Sequence, residues 1–141
     1  MNEKMRKGAV AMLKLQEQSL ARGFVVSMPI VEGLRYDCLL DTGDRLLRVQ
    51  VKYAGVEPKN SSGCVQVRLD KPYGRGVNRA FNGSEIDLLC VYMPKPDLLC
   101  VFGEDVFSGS KSLRIRFSKS KNGQVKNCLM AEEYRFDKWL L

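Results

Sequence analysis

Apolar and polar positions divide this chain into one long helical stretch followed by a series of short strands. Over residues 4–22 the apolar residues Ala9, Leu13 and Leu20 fall on one inward stripe at helical spacing, and Gly23 marks the helix end. A strand over 23–27 and a loop from Pro29 to Gly33 come next. Residues 36–40 and 45–53 read as two strands joined by Asp41-Thr42-Gly43-Asp44. In that cluster Gly43 can take positive φ and the Asp side chains can bond nearby backbone, so a hairpin is expected. The pattern then predicts a strand near 63–70, a long loop over 71–83, a strand over 86–93 ending at Pro94, a strand over 98–102, a basic ribbon near 112–128 and a short helix from about 130. The unbroken apolar run Leu88-Leu89-Cys90-Val91 suits a central strand covered on both faces, and Asp87 is either a buried, hydrogen-bonded structural group, the favoured reading, or a partner that supports the site residues. The whole reads as one α/β domain over residues 1–141, without internal repeat or low-complexity segment.

The hairpin carries the candidate chemistry. Alternation puts Leu46, Arg48, Gln50 and Lys52 on one strand face and Leu47, Val49 and Val51, the expected core set, on the other. Asp37 lies on the neighbouring strand, so a carboxylate, an amide oxygen and an ammonium are brought to one neighbourhood. Hard cations such as Mg2+ take oxygen ligands and are held by one or two carboxylates together with phosphate oxygens and water. Asp37, the Gln50 side-chain carbonyl and the Val51 backbone carbonyl can supply such ligands, and Lys52 either a compact positive charge beside a phosphate or the orientation of an attacking water. Taken singly, an Asp at a strand start also serves as a turn or cap residue, and Gln-x-Lys also suits a solvated face.

Charge and composition narrow the partners. Twenty-three Lys and Arg against sixteen Asp and Glu give a formal net charge of +7, which favours polyanions. Between Lys111 and Lys126 stand six basic residues, Lys111, Arg114, Arg116, Lys119, Lys121 and Lys126, and no acid. Arg114 and Arg116 alternate with Leu113, Ile115 and Phe117, predicting one buried and one basic face, and Lys121-Asn122-Gly123 reads as a hairpin tip. Such a ribbon can enter the major groove of DNA, or can be a solvated hairpin that keeps the protein soluble. Lys71, Arg75 and Arg79 lie in the Gly- and Asn-rich loop, whose Tyr73 and Phe81 can stack against bases or, the favoured reading, anchor the loop on the protein. Arg6, Lys7 and Arg35 complete the basic residues assigned to a nucleic acid.

Histidine is absent, which removes His-based acid–base chemistry and Ser-His triads and leaves metal-bound water as the route to hydrolysis. The five cysteines, Cys38, Cys64, Cys90, Cys100 and Cys128, form no C-x-x-C pair and fit small buried hydrophobes in a reducing cytoplasm. No run of 18 apolar residues predicts a membrane span, and the first seven residues lack the apolar core of a secretory signal.

The order of these pieces resembles the PD-(D/E)XK nuclease superfamily. Arg6-Lys7-Gly8-Ala9-Val10-Ala11 and the helix running to Gly23-Phe24-Val25-Val26 are similar to the first helix and strand of archaeal Holliday junction resolvases. Gln50-Val51-Lys52, with Gln where an acid is usual, is more similar to the branch containing a cyanobacterial group I intron homing endonuclease. Glu85-Ile86-Asp87-Leu88-Leu89-Cys90-Val91-Tyr92 and Ala131-Glu132-Glu133-Tyr134-Arg135-Phe136 also look like that branch. The resemblance implies a mixed β-sheet flanked by helices, here with an added basic β-ribbon. It also implies Mg2+ (or Mn2+), double-stranded DNA as partner, and a homodimer or homotetramer that cuts both strands, with a junction resolvase, a restriction-type nuclease or an inactive DNA-binding module as alternatives.

One position departs from the superfamily. Its first helix commonly presents a Glu four residues after the Gly of the Lys-Gly pair, and here that position is Met12. A thioether is no ligand for Mg2+. Glu17 stands about 140° further round the helix, whereas Gln16 is one turn on from Met12. An engineered inactivation, a natural enzyme with a weakened metal site and a shifted helix alignment all stay open.

Overall fold

The computed structural model describes residues 1–59, 61–73, 77–119 and 127–140, with the backbone alone over 71–73 and 77–79. In chain order it contains α1 (Glu3–Ala21), β1 (Val25–Ser27), β2 (Cys38–Asp41), β3 (Leu46–Tyr53), β4 (Cys64–Arg68), β5 (Lys71–Tyr73), β6 (Val77–Arg79), β7 (Leu88–Met93), β8 (Leu98–Phe102), α2 (Glu104–Phe107), β9 (Ser112–Arg116) and β10 (Leu129–Met130). Two 3-10 turns, Ala131–Tyr134 and Phe136–Lys138, close the described chain.

The main sheet has the order β1-β2-β3-β7-β8 and is mixed, because β3 and β7 run parallel while the other neighbours are antiparallel. α1 packs on one face, over β3 and β7. Between them lie Ala11, Leu15, Phe24, Leu40, Leu47, Val49 and Cys90. The other face is covered by a second sheet of order β10-β9-β4, whose Val65, Val67, Leu113 and Ile115 meet Leu89, Val91, Met93 and Phe102. Every residue of β7 is buried, as its apolar run requires of a strand with a layer on each side.

Asn2 caps α1 by accepting a hydrogen bond from the Lys4 amide (2.8 Å), with Glu3 in the first turn where the helix dipole favours an acid. The inward stripe is Ala11, Leu15 and Ser19, not Ala9, Leu13 and Leu20. Leu13 and Leu20 are 62% and 67% exposed. At about 100° per residue, positions two away from Ala11 or Leu15 point to nearly the opposite side, so Ala9 and Leu13 cannot share their face.

The basic segment expected to be a long loop contains a small antiparallel hairpin in which Lys71 pairs with Arg79 and Tyr73 with Val77. Phe81, 1% exposed, anchors its end in the core as expected. β9 is not one arm of a free two-stranded ribbon. It lies between β4, antiparallel, and β10, parallel, and the expected tip at Lys121 and Asn122 lies outside the described residues. The expected C-terminal helix is two 3-10 turns, because Arg135 takes an extended conformation and bridges to Cys100 of β8.

Cys38, Cys64, Cys90 and Cys100 are buried, Cys128 is half-buried, and all five are free. Burial pushes the Cys38 and Cys100 thiols up to about 12 and keeps them protonated. No helix among the described residues is long and apolar enough to cross a membrane.

Candidate functional site

The site is built on the hairpin. Its turn forms as the sequence predicts, with Gly43 at φ +93°, the Gly43 amide donating to Asp41 Oδ1 (2.9 Å) and the Arg45 amide to Thr42 Oγ1 (3.1 Å). The β2–β3 ladder runs from Asp41 opposite Leu46 to Cys38 opposite Val49. One step further the Asp37 amide donates to the Val49 carbonyl (2.8 Å), and the Asp37 carboxylate then takes over from backbone, its Oδ2 accepting from the Val51 amide at 2.8 Å. Strand residues present their N–H and C=O to the same edge, so the Val51 carbonyl opens on that side too.

Gln50 is 4% exposed, and its Oε1 is buried with no hydrogen-bond partner. The amide nitrogen only reaches the Val51 carbonyl at 3.5 Å. An unsatisfied buried acceptor costs about 1–3 kcal/mol, so the fold gives up stability at the Gln50 oxygen. Asp37, Gln50 and Val51 line an open cleft of about 600 Å3 whose far wall is α1, through Met12 and Gln16. Glu17 is exposed and not part of it. Met12 therefore lines the same cleft as Asp37, Gln50 and Val51. Carboxylate, amide and backbone oxygens suit a hard dication, although among the described residues no three Asp, Glu, Cys or His gather as ligands.

Lys52 follows on β3 and lines an adjoining cleft of about 530 Å3 together with Lys4, Lys7 and Arg68; Gly8 and Val51 border both clefts. Its Nζ stands 5.7 Å from the centroid of the Phe81 ring. Lys4 and Arg68 were not singled out by the sequence. Lys4 had a readable signal, one helical turn before Gly8, whereas Arg68 is placed by the pairing of β4 with β9 and had none.

The other assigned cations divide. Lys7 lies 5.8 Å from the Tyr53 ring, and Arg6 is ion-paired to Glu3 (2.9 Å) on the surface. Arg114 and Lys119 are exposed. Arg116 is not on a basic face: it is 6% exposed and donates to the carbonyls of Ser62 (3.3 Å) and Ser118 (3.4 Å). Arg35 also turns inward, with its side chain 15% exposed, bonded to Glu85 (2.5 Å) and to the Ala80 carbonyl, and lying 4.3 Å from the Phe81 ring centroid. Arg75, Lys121 and Asn122, and the side chains of Lys71 and Arg79, lie outside the described residues.

Asp87 is structural, as expected. Its carboxylate accepts from the Arg48 amide (2.8 Å), from Arg48 Nε (3.0 Å) and from a terminal guanidinium nitrogen (3.0 Å), clamping the start of β7 to β3 two residues before Gln50. The guanidinium holds the Asp87 carboxyl below the usual carboxylate range. That stability is present above the unfolded value of about 3.9 and is lost as pH falls through the lower folded value. Asp87→Asn is expected to cost about 1–2 kcal/mol at pH 7, given the partial exposure of the pair. Urea unfolding should show the difference shrinking in strong acid; an equal difference at every pH would remove the charge from the argument.

The sequence profile of the PD-(D/E)XK endonucleases matches residues 1–137. The chain belongs to the PD-(D/E)XK endonuclease family. Its mixed sheet and flanking helix match the fold of that family. A solved structure described as a bacterial homing endonuclease, I-Ssp6803I, superposes with a TM-score of 0.76 at 26% sequence identity, covering 95% of this chain and 89% of that one. No sequence among the curated proteins matches the chain. PD-(D/E)XK nucleases generally use divalent metal ions, in keeping with the oxygen donors of Asp37, Gln50 and Val51.

Proposed function

We propose that the chain is a Mg2+-dependent endonuclease that hydrolyses phosphodiester bonds in duplex DNA, with Mn2+ able to substitute, and that it is a site-specific homing endonuclease. The observation that carries this reading is the orphaned, buried Oε1 of Gln50, a residue that lines one cleft with Asp37 and Val51, next to the cleft lined by Lys52. Asp37, Gln50 Oε1 and the Val51 carbonyl would hold the ion, which when bound activates water and offsets phosphate charge. Lys52 places a compact ammonium beside the scissile phosphate as negative charge develops there. Lys4, Lys7 and Arg68 grip the backbone of the same DNA, and a homodimer or homotetramer supplies a second site for the second strand. The free thiols favour a reducing, cytoplasmic setting.

Plasmid, four-way junction and intronless homing-site DNA, each incubated with Mg2+ and with EDTA, test the reading. Cleavage of the homing-site duplex that needs Mg2+ supports it, and cleavage of the junction alone makes the protein a resolvase. Met12 in the cleft favours a second reading, a DNA-binding protein that does not cut. Binding without cleavage under all conditions is its signature.

The structure separates the two arginines of β9. Arg114→Ala is expected to flatten the slope of log affinity against log salt by about 0.9, the amount that one neutralised phosphate contributes. Arg116→Ala should instead lower stability through its two carbonyl partners and leave the slope alone. A reversed pattern in salt-titrated binding would place Arg116, not Arg114, on the DNA.

A further inference from the structure

A glycine inside a helix needs a reason, since it costs about 1 kcal/mol relative to alanine. Gly8 is interior to α1, yet its φ is not in the left-handed region and a Cβ built on it meets no atom within 4 Å. Each of the other described glycines has a reason within the fold. Gly23, Gly33, Gly43, Gly63 and Gly109 have positive φ, and a Cβ at Gly55, Gly83 or Gly103 would meet Tyr53, Glu104 or Asp105. Among the described residues, Gly8 alone has neither.

Its position supplies the reason that the fold does not. Gly8 borders both the cleft of Lys4, Lys7, Lys52 and Arg68 and the cleft lined by Asp37 and by Gln50, whose buried Oε1 has no hydrogen-bond partner. A polyanion that reaches from the first to the second passes between Gly8 on α1 and Val51 on β3, the two residues common to both clefts. We propose that Gly8 is the contact point of the nucleic-acid backbone on α1, its missing side chain giving the clearance for a phosphodiester to pass from the lysine-lined cleft to the Asp37–Gln50 donors. The inference rests on the DNA reading above and adds a residue that positions the strand without any polar side chain of its own.

Gly8→Ala therefore separates stability from binding. The variant should melt higher by about 2–4 °C, because alanine favours the helix and its methyl meets open space. Its affinity for a fluorescently labelled mixed-sequence duplex at low salt should fall by about tenfold, and that of Gly8→Leu further, both read by anisotropy. A raised melting temperature with wild-type affinity in both variants would overturn the inference and leave the DNA reading standing. A lowered melting temperature for Gly8→Ala would overturn it by giving the glycine a folding role. Failure of the wild-type protein itself to bind the duplex sinks the DNA reading, and this inference with it.

Discussion

Lys52→Ala is expected to lower the single-turnover cleavage rate by about a hundred- to a thousandfold while leaving DNA affinity within a few-fold of wild type. Removing one preorganised charge-stabilising donor from an active site costs that much in rate. The asymmetry follows from where Lys52 sits. It is half-buried on β3, between Val51, which borders the donor cleft, and Tyr53, and three other cations line its own cleft. Lys4 and Lys7 preserve most of the attraction for a polyanion, since Arg68 is ion-paired with Asp70, but none of the three stands on the strand that carries Gln50. The substitution leaves the buried residues of β3, Leu47, Val49 and Gln50, in place, so lost cleavage cannot be ascribed to a lost core. Lys52→Arg should not restore the rate fully, because a planar guanidinium does not reproduce a compact ammonium at one phosphate oxygen. If Lys52→Ala cuts as fast as wild type, Lys52 is a backbone contact and the positive charge of the reaction comes from elsewhere.

What the sequence made legible is what short-range rules decide. Asp41-Thr42-Gly43-Asp44 specifies its turn within four residues, and just past the ladder that follows the Asp37 carboxylate accepts from the Val51 amide. The apolar run of β7 admits only a strand covered on both faces. The misreadings of α1, Arg116 and Arg35 come from partners distant in sequence. Leu13 and Leu20 outrank Ala11 and Ser19 in hydrophobicity, but a helix laid closely on a sheet takes small residues at its contact stripe, and Leu13 lies at the rim of the site. Arg116 continues an alternation that describes one strand in isolation. In the sheet, β9 has a neighbour on each side and the loop carbonyls of Ser62 and Ser118 close over the guanidinium. Arg35 looks free in a loop until Glu85, fifty residues on, is folded against it. The orphaned oxygen of Gln50 was not legible at all, since it depends on which partners the folded chain withholds.

Met12→Glu is expected to raise Mg2+-dependent cleavage by on the order of tenfold or more, with the gain appearing mainly as a lower Mg2+ concentration needed for half-maximal rate. Met12 lines the cleft that holds Asp37, Gln50 and Val51, so a carboxylate on that helix turn adds the second negative charge that a dication site with one Asp lacks. The same charge should leave a signature independent of catalysis. Without cation, a second carboxylate beside Asp37 in a half-enclosed cleft is repelled and partly desolvated, and the variant should melt below wild type in EDTA. Mg2+ binds only the folded site, so the loss should be recovered as the ion is added, by mass action, to a greater extent than any shift in wild type. Met12→Leu keeps the volume without the charge and should show neither effect. A variant that stays folded but gains neither rate nor a Mg2+-dependent melting shift would mean that position 12 does not face the ion, and the helix residue nearest the donors would then be Gln16, one turn further along the same wall.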